Sequence, residues 1–445
     1  MTIDTLGSSI APDVGTPPVD APPDPVDWAG IARVHGTPAY VYDLAAVRAA
    51  YAALTADLPQ PSGLVYSVKA NPHPAVVGTL VAAGAGAEVS SAGELAVALS
   101  TGCPPERVLY TGPGKTFSEL CTALAAGVRL FSIESPGDRR RLEEACELLD
   151  TEADALVRLN HPPASRGGSL RMTGRPSAFG TDVANTAELA ALLRPGGRVR
   201  PVGTHTFFAT NVQDPGALLD EFRNALDAVR AVCGEDFPPA VLALGGGFSA
   251  PNARPGTPPR HRELGPDLAE HLDAAFPGWR AGRPRLLFES GRHLVAAAGT
   301  LLSTLLDVKR SGGRTFAVLD AGVNTLGGMS GLGRLRAPNA QPRVIGARAG
   351  SGSGPAGLPE DGAGGPVALV GPLCTPLDVL NNAAELAAPE PGQILAFPNV
   401  GAYGPTASLL AFLSRPAPVE VVVDDGTVRG ARRLVLRAEE VCPGV

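Results

Sequence analysis

Leu64-Val65-Tyr66-Ser67-Val68-Lys69-Ala70-Asn71-Pro72 is an apolar, β-branched run that stops on a lysine and a turn. Residues 64–68 read as a buried strand, and Asn71-Pro72 ends it. Seven runs of the same kind follow, at 87–90, 108–111, 130–133, 155–159, 202–207, 241–244 and 286–288. Amphipathic stretches at 75–83, 92–100, 117–126 and 138–149 fill intervals between them. Ser91 can cap the second of these helices, and Ser135-Pro136 opens the fourth. Eight strands separated by helices over about 230 residues give an α/β class and the pattern of a (β/α)8 TIM barrel. A doubly wound open sheet alternates in the same way.

After Arg292 the texture changes. Runs at 301–308, 315–319, 367–370, 393–397, 419–423 and 434–436 are separated by turns such as Ser311-Gly312-Gly313 and Asp424-Asp425-Gly426. They predict a C-terminal antiparallel β domain, to which a strand at 40–42 can pair. The expected organisation is a disordered leader at 1–26, a barrel at 44–292, and a β domain made from 27–43 and 293–445. The Gly- and Pro-rich stretch 349–366 reads as a flexible loop inside that domain.

A formal net charge of −7 and the lack of a basic stripe argue against a nucleic-acid partner. Arg139-Arg140-Arg141 is preceded by Asp138 and followed by Glu143, Glu144 and Glu147, as on a solvated helix. No apolar run reaches the ~18 residues of a membrane span, and no signal peptide is expected. The six cysteines (Cys103, Cys121, Cys146, Cys233, Cys374, Cys442) form no C-x-x-C pair. They read as reduced thiols in a cytoplasmic protein, with no metal site.

Two motifs match by letters alone. Gly352-Ser353-Gly354-Pro355-Ala356-Gly357 fits G-x-G-x-x-G but lies in low-complexity sequence, without the strand and helix a dinucleotide needs. Gly114-Lys115-Thr116 resembles the end of a P-loop whose first glycine would fall at Leu109, so it reads as a loop leading into a helix.

Lys69 directly follows the first strand, on the face where barrels build active sites. Partial desolvation there is expected to lower its pKa and make it a Schiff-base nucleophile. A solvated rim lysine is the structural alternative. His205 lies in another strand and could stack on a flat ring, or be a satisfied core histidine. Gly245-Gly246-Gly247 follows the next strand, where main chain free of side chains can approach a phosphate, or simply turn tightly. Glu289-Ser290-Gly291-Arg292 ends the last strand; its carboxylate could hold a pyridine nitrogen protonated, and Arg292 add a charged contact. A plain Glu–Arg ion pair is the alternative. All four features fall at the same end of the predicted parallel strands.

With these residues in place, the chain resembles the fold-type III pyridoxal phosphate (PLP) decarboxylases, the diaminopimelate, ornithine and arginine decarboxylase-like family with an alanine racemase-like fold. The resemblance is carried by Tyr66-Ser67-Val68-Lys69-Ala70-Asn71, Gly93-Glu94-Leu95, Ser177-Ala178-Phe179-Gly180, the His205 strand, Gly245-Gly246-Gly247-Phe248 and Glu289-Ser290-Gly291-Arg292. It continues in Asp320-Ala321-Gly322, Gly371-Pro372-Leu373-Cys374 and Gly401-Ala402-Tyr403-Gly404. It implies PLP as cofactor, Lys69 as its covalent anchor, and His205 stacked on its ring. It further implies a phosphate held by Gly245, Gly246, Gly247 and Tyr403, with Gly291 and Arg292 beside it, and Glu289 at the pyridine nitrogen. Cys374 would reach across a homodimer to protonate the carbon that loses carbon dioxide, and Thr375 and Asp378 would lie in the same shared loop.

Two positions depart from the family. An acidic residue usually follows the catalytic cysteine and grips a distal ammonium; here it is Thr375. Many members have lysine before Phe-Gly; here it is Ala178. The first departure speaks against diaminopimelate, lysine, ornithine and arginine as substrates, because a distal ammonium left unpaired costs about 1–3 kcal/mol or more. Met172-Thr173-Gly174-Arg175-Pro176-Ser177-Ala178-Phe179-Gly180, Cys374-Thr375-Pro376-Leu377-Asp378 and Tyr403-Gly404-Pro405-Thr406-Ala407-Ser408 are similar to a subgroup from antibiotic pathways. Its butirosin member decarboxylates a glutamyl group tethered to an acyl carrier protein. The expected substrate is therefore an amino acid, as a free small molecule, or a carrier-protein-tethered aminoacyl group, in a specialised pathway. Diaminopimelate decarboxylation to lysine, an amino-acid racemase of the same fold and a non-catalytic regulatory homologue are the alternatives.

Overall fold

The structure, a computed structural model, describes residues 26–162, 170–171, 177–327, 339–345 and 366–439. Residues 1–25 of the expected leader at 1–26, most of the loop at 349–366 and the segment Met172-Thr173-Gly174-Arg175 lie outside these residues. Val26, the last residue of that expected leader, is buried with Ile31, Val41 and Leu302.

Eight parallel strands close into a barrel: Gly63–Ser67, Gly86–Val89, Val108–Tyr110, Leu130–Ile133, Ala153–Asn160, Val199–Phe207, Val241–Gly245 and Arg285–Ser290. The last pairs with the first through Ser290 and Tyr66, and the ring is complete at every other step, which excludes the open sheet. Every strand overlaps an apolar run read from the sequence. The helices Pro74–Ala82, Ala92–Ser100, Phe117–Ala125 and Pro136–Leu148 lie where the amphipathic stretches put them. Ser91 does cap its helix, through the Glu94 amide. Thr116 and Glu119 form a reciprocal capping box at Phe117–Ala125, so the Gly114-Lys115-Thr116 loop is a helix entrance. Lys115 itself is buried against Asp138 at 2.7 Å.

The second sheet is built around the long strand Gly299–Ser311, which is antiparallel to Ala39–Asp43, Arg314–Leu319 and Ile394–Phe397. It is mixed rather than wholly antiparallel: Ala39–Asp43 runs parallel to Val419–Asp424, and Arg314–Leu319 parallel to Val367–Val370. Chain order explains both exceptions, since each pair is joined through other elements rather than by a hairpin. The run at 434–436 is not a strand; Thr427–Arg433 pairs with Val419–Asp424 instead. The strand Val379–Ala384, with sequence VLNNAA, escaped notice because Asn and Ala are depleted in strands.

Two buried histidines give the fold an acid limit. His73 Nδ1 accepts the Ala75 N–H and caps Pro74–Ala82, while its ring lies edge-on to Tyr42. Burial, assisted by the Arg432 charge, holds its pKa down at about 4. His261, packed against Phe248 and His293, is held at about 4 by burial first and by its neighbour His293 second. Both fold neutral, whereas the unfolded chain protonates them near 6.5. Their stabilisation is complete above that pH and is lost as pH falls towards 4, at roughly 1.4 kcal/mol per unit for each ring. The unfolding midpoint is expected to drop between pH 6.5 and 5, and less steeply in His73→Asn, which keeps a cap acceptor without a titrating ring. An unchanged slope in that variant would remove His73 from the account.

Candidate active site

Alternation along the barrel strands builds the site. Val65, Leu109, Leu156 and Leu287 belong to one apolar cluster with Leu130, Val241 and Ala243. Two residues further along the same strands, on the same inward face, come Ser67, Thr111, Arg158 and Glu289. The barrel interior therefore changes from apolar to polar towards the C-terminal ends. Ser67, Glu88, Thr111, Arg158, His205 and Glu289 all line a cavity of about 400 Å³ at that end.

Lys69 sits in the short turn Val68–Ala70 after the first strand. The second sheet's chain clamps this turn: Tyr403 N–H donates to the Ala70 carbonyl at 2.7 Å, and Asn71 Nδ2 to the Gly401 carbonyl at 2.8 Å. Lys69 Nζ donates to both Glu88 oxygens at 2.7 Å. The expectation of a lowered lysine pKa is corrected here. Burial does pull it down, but the charge and hydrogen bonds of Glu88 outweigh burial and leave it raised. Glu88 is pushed up by burial and drawn down to about 2 by Lys69, helped by Thr111 and Ser67.

Glu289 is buried on the neighbouring strand. Its Oε1 lies 3.0 Å from His205 Nε2, without hydrogen-bond alignment, and neither carboxylate oxygen has a hydrogen-bond partner among the described residues. His205 Nδ1 meets Ser132 Oγ at 2.7 Å. Gly246 and Gly247 line the cavity at φ of +83° and +91°; Gly245 ends its strand just below them. A Cβ on Gly246 would stand 2.8 Å from the Ala209 carbonyl, and one on Gly291 3.0 Å from Ala70 Cβ. Both walls are therefore bare main chain by necessity. Arg292 lies over the Tyr403 ring at 4.8 Å, and no carboxylate pairs with it among the described residues. The plain Glu289–Arg292 ion pair is thus absent. A buried carboxylate in want of a donor, a glycine turn, and a free guanidinium beside Lys69 together fit PLP: ring nitrogen, phosphate and aldehyde.

Cys374, Thr375 and Asp378 are not in this cavity's wall. Cys374 is exposed and free, in the loop that follows Val367–Val370. Asp378 is buried, and its two oxygens accept the Val323 and Leu373 amides, both at 2.7 Å. That carboxylate shapes the loop and has no oxygen turned outward. Thr375 accepts the Leu377 amide at 3.3 Å. Ala178 is exposed, beside Phe179 in the cavity wall.

Sequence reading missed three residues that line the cavity, Glu88, Arg158 and Phe207, and Glu134 behind Arg158. Arg158 pairs with Glu134 at 2.9 Å and stacks over Phe179 at 5.0 Å; Glu134 also accepts the Gly180 amide. The signal for Glu88 and Arg158 was present, since each is a charge inside an otherwise apolar strand, on the inward parity.

Comparison with known proteins agrees with this geometry. Residues 44–296 match the pyridoxal binding domain of the pyridoxal-dependent decarboxylases. The chain is 28% identical to the L-glutamyl-[BtrI acyl-carrier protein] decarboxylase of Niallia circulans, over 92% of this chain and 94% of that one. It is 30% identical to the diaminopimelate decarboxylase of Pseudomonas aeruginosa, over 91% of each. The crystal structure of Helicobacter pylori diaminopimelate decarboxylase complexed with L-lysine superposes with a TM-score of 0.75 at 22% identity, over 92% of this chain and 95% of that one. With its barrel, bare-walled cavity and matching domain, the chain belongs to the pyridoxal-dependent decarboxylase family and is a PLP-dependent carboxy-lyase.

Proposed function

We propose that the protein removes the α-carboxylate of an amino acid or aminoacyl group whose far end carries no ammonium, working as a homodimer with shared sites. One observation carries the substrate reading: among the described residues that line the cavity, no free carboxylate is placed to grip a distal cation. Glu88 is consumed by Lys69, Asp378 by two amides, and Glu289 lies at the base of the cavity. Thr375 beside Cys374 is uncharged. The glutamyl substrate named for the Niallia circulans relative fits such a site, as does a role in a specialised pathway. Diaminopimelate, the substrate named for several other relatives, is the second reading.

Bound PLP supplies the electron sink that makes loss of carbon dioxide possible. The chain's own residues do the rest. Glu289 holds the proton on the ring nitrogen. Gly246, Gly247 and Tyr403 seat the phosphate, with Arg292 as its countercharge. Lys69 Nζ anchors the cofactor and exchanges its proton with Glu88. The partner subunit's Cys374 returns a proton to the α-carbon. The exposure of Cys374, outside its own chain's cavity, supports that trans assignment. The buried, unpaired Cys103, Cys146 and Cys233 support a reducing, cytoplasmic setting.

Carbon dioxide release should be screened with free amino acids and with a glutamyl-loaded carrier protein. Turnover of the neutral-ended or tethered substrates is expected; efficient turnover of diaminopimelate or ornithine alone would overturn the substrate reading. Mixing Lys69→Ala with Cys374→Ala subunits tests the shared site, with about a quarter of wild-type activity expected from random reassortment. No recovery would place Cys374 in its own chain's site, and a Cys374→Ala protein as active as wild type would place it outside the reaction.

A further inference from the structure

We propose that Phe207 supplies the aromatic wall against which the cofactor's pyridine ring lies, and that His205 is a positioning residue that orients Glu289. This rests on the assignment of the cavity to PLP and replaces the stacking role expected of His205. Residues 205 and 207 share the inward face of Val199–Phe207, but they stand at different depths. His205 is 1% exposed, with one ring nitrogen at Ser132 and the other at Glu289. Its ring is held in the plane those two contacts define.

Phe207 ends the strand at the cavity mouth, on the glycine turn. A Cβ on Gly245 would stand 2.6 Å from Phe207 Cδ2 and 2.9 Å from Glu289 Oε2; one on Gly246 would stand 2.9 Å from Phe207 Cζ. Lys69 Nζ lies over the same ring at 5.8 Å, and the Arg158 guanidinium at 6.0 Å. Arg158 is held in turn by Glu134 and Phe179. The ring thus spans the interval between the lysine that takes the cofactor's aldehyde and the carboxylate that takes its nitrogen. Those groups are at opposite ends of a pyridine ring, so the pyridine must cross Phe207. An electron-rich π face is also the right partner for a protonated, electron-poor ring. His205 then acts through Glu289, its Nε2 standing 3.0 Å from Oε1 and limiting where that carboxylate can turn.

Apo-protein should be titrated with PLP, following the dissociation constant by fluorescence and the bound cofactor by visible circular dichroism. Phe207→Ala is expected to raise the dissociation constant at least tenfold, about 1.4 kcal/mol, and to collapse the dichroic band. Phe207→Leu, which keeps an apolar side chain but no π face, should fall between, and Phe207→Tyr should stay within about threefold. His205→Asn should leave the dissociation constant within about threefold while shifting the pH dependence of the cofactor's absorbance, since only Glu289 is disturbed. A tenfold loss in His205→Asn with Phe207→Leu unchanged would put the stacking on His205 and overturn the proposal. Failure of the wild-type protein to bind PLP would instead overturn the cofactor assignment beneath it.

Discussion

Lys69→Ala is expected to lower decarboxylation at least about 10³-fold and to abolish the absorbance of covalently attached PLP. The geometry adds a second consequence. Lys69 Nζ is the cation that holds both oxygens of buried Glu88 at 2.7 Å, and it draws that carboxyl's pKa down to about 2. Without the ammonium, burial acts on Glu88 unopposed. Removing one partner of a buried pair typically costs about 3–5 kcal/mol. Lys69 keeps 38% of its side-chain exposure, so solvent screening brings the expected loss nearer 1–2 kcal/mol. Apo Lys69→Ala should therefore melt below wild type. Adding Glu88→Gln should recover most of that loss and none of the activity, because a neutral amide can stay buried among Thr111, Ser90 and Ser67. Recovery of activity in the double variant would mean that Lys69 serves only as a countercharge. A melting temperature unchanged in the single variant would mean that the pair is dispensable to the apo fold.

The barrel was legible because its signal is repetitive. Eight buried strands, each a short and largely apolar run, leave little room for another topology once the ring closes. Glu289, Lys69 and the glycine turn were legible because the active end of a barrel is the C-terminal end of every strand. What stayed hidden was depth. Sequence parity says that His205 and Phe207 face the same way, but not which of them lies at the cavity mouth. Only contacts with Ser132 and Glu289, each two strands away around the barrel, place the histidine lower. The raised pKa of Lys69 was hidden for a similar reason. Its partner Glu88 is nineteen residues away on the adjacent strand, and burial alone would have given the opposite sign. In the second sheet, the parallel pairings at Ala39–Asp43 and Arg314–Leu319 could not be read from turn residues, which report hairpins and are silent on strands brought together from afar.

Glu289→Gln is expected to move activity and stability in opposite directions. In the apo-protein its carboxylate is buried, with no hydrogen bond to either oxygen and only an unaligned contact to His205. Such a group is costly to the fold, since burying an unsatisfied polar atom costs about 1–3 kcal/mol and a charged one more. Gln fills the same volume without a charge, so apo Glu289→Gln should match or exceed wild type in melting temperature. With PLP bound, the same change removes the acceptor that keeps the ring nitrogen protonated. The electron sink weakens, and kcat should fall by roughly 10²–10³, the usual range for losing a positioned proton partner. Substrate affinity should change little, because Glu289 lies at the base of the cavity, away from the substrate's far end. Glu289→Asp should recover part of kcat by restoring the charge at a longer reach. The opposite pattern, a less stable apo-protein with kcat retained, would show Glu289 to be a structural partner of His205. A buried carboxylate with no donor to either oxygen, lining the cavity at the polar end of the barrel, is what a site kept for a ligand's proton looks like before that ligand arrives.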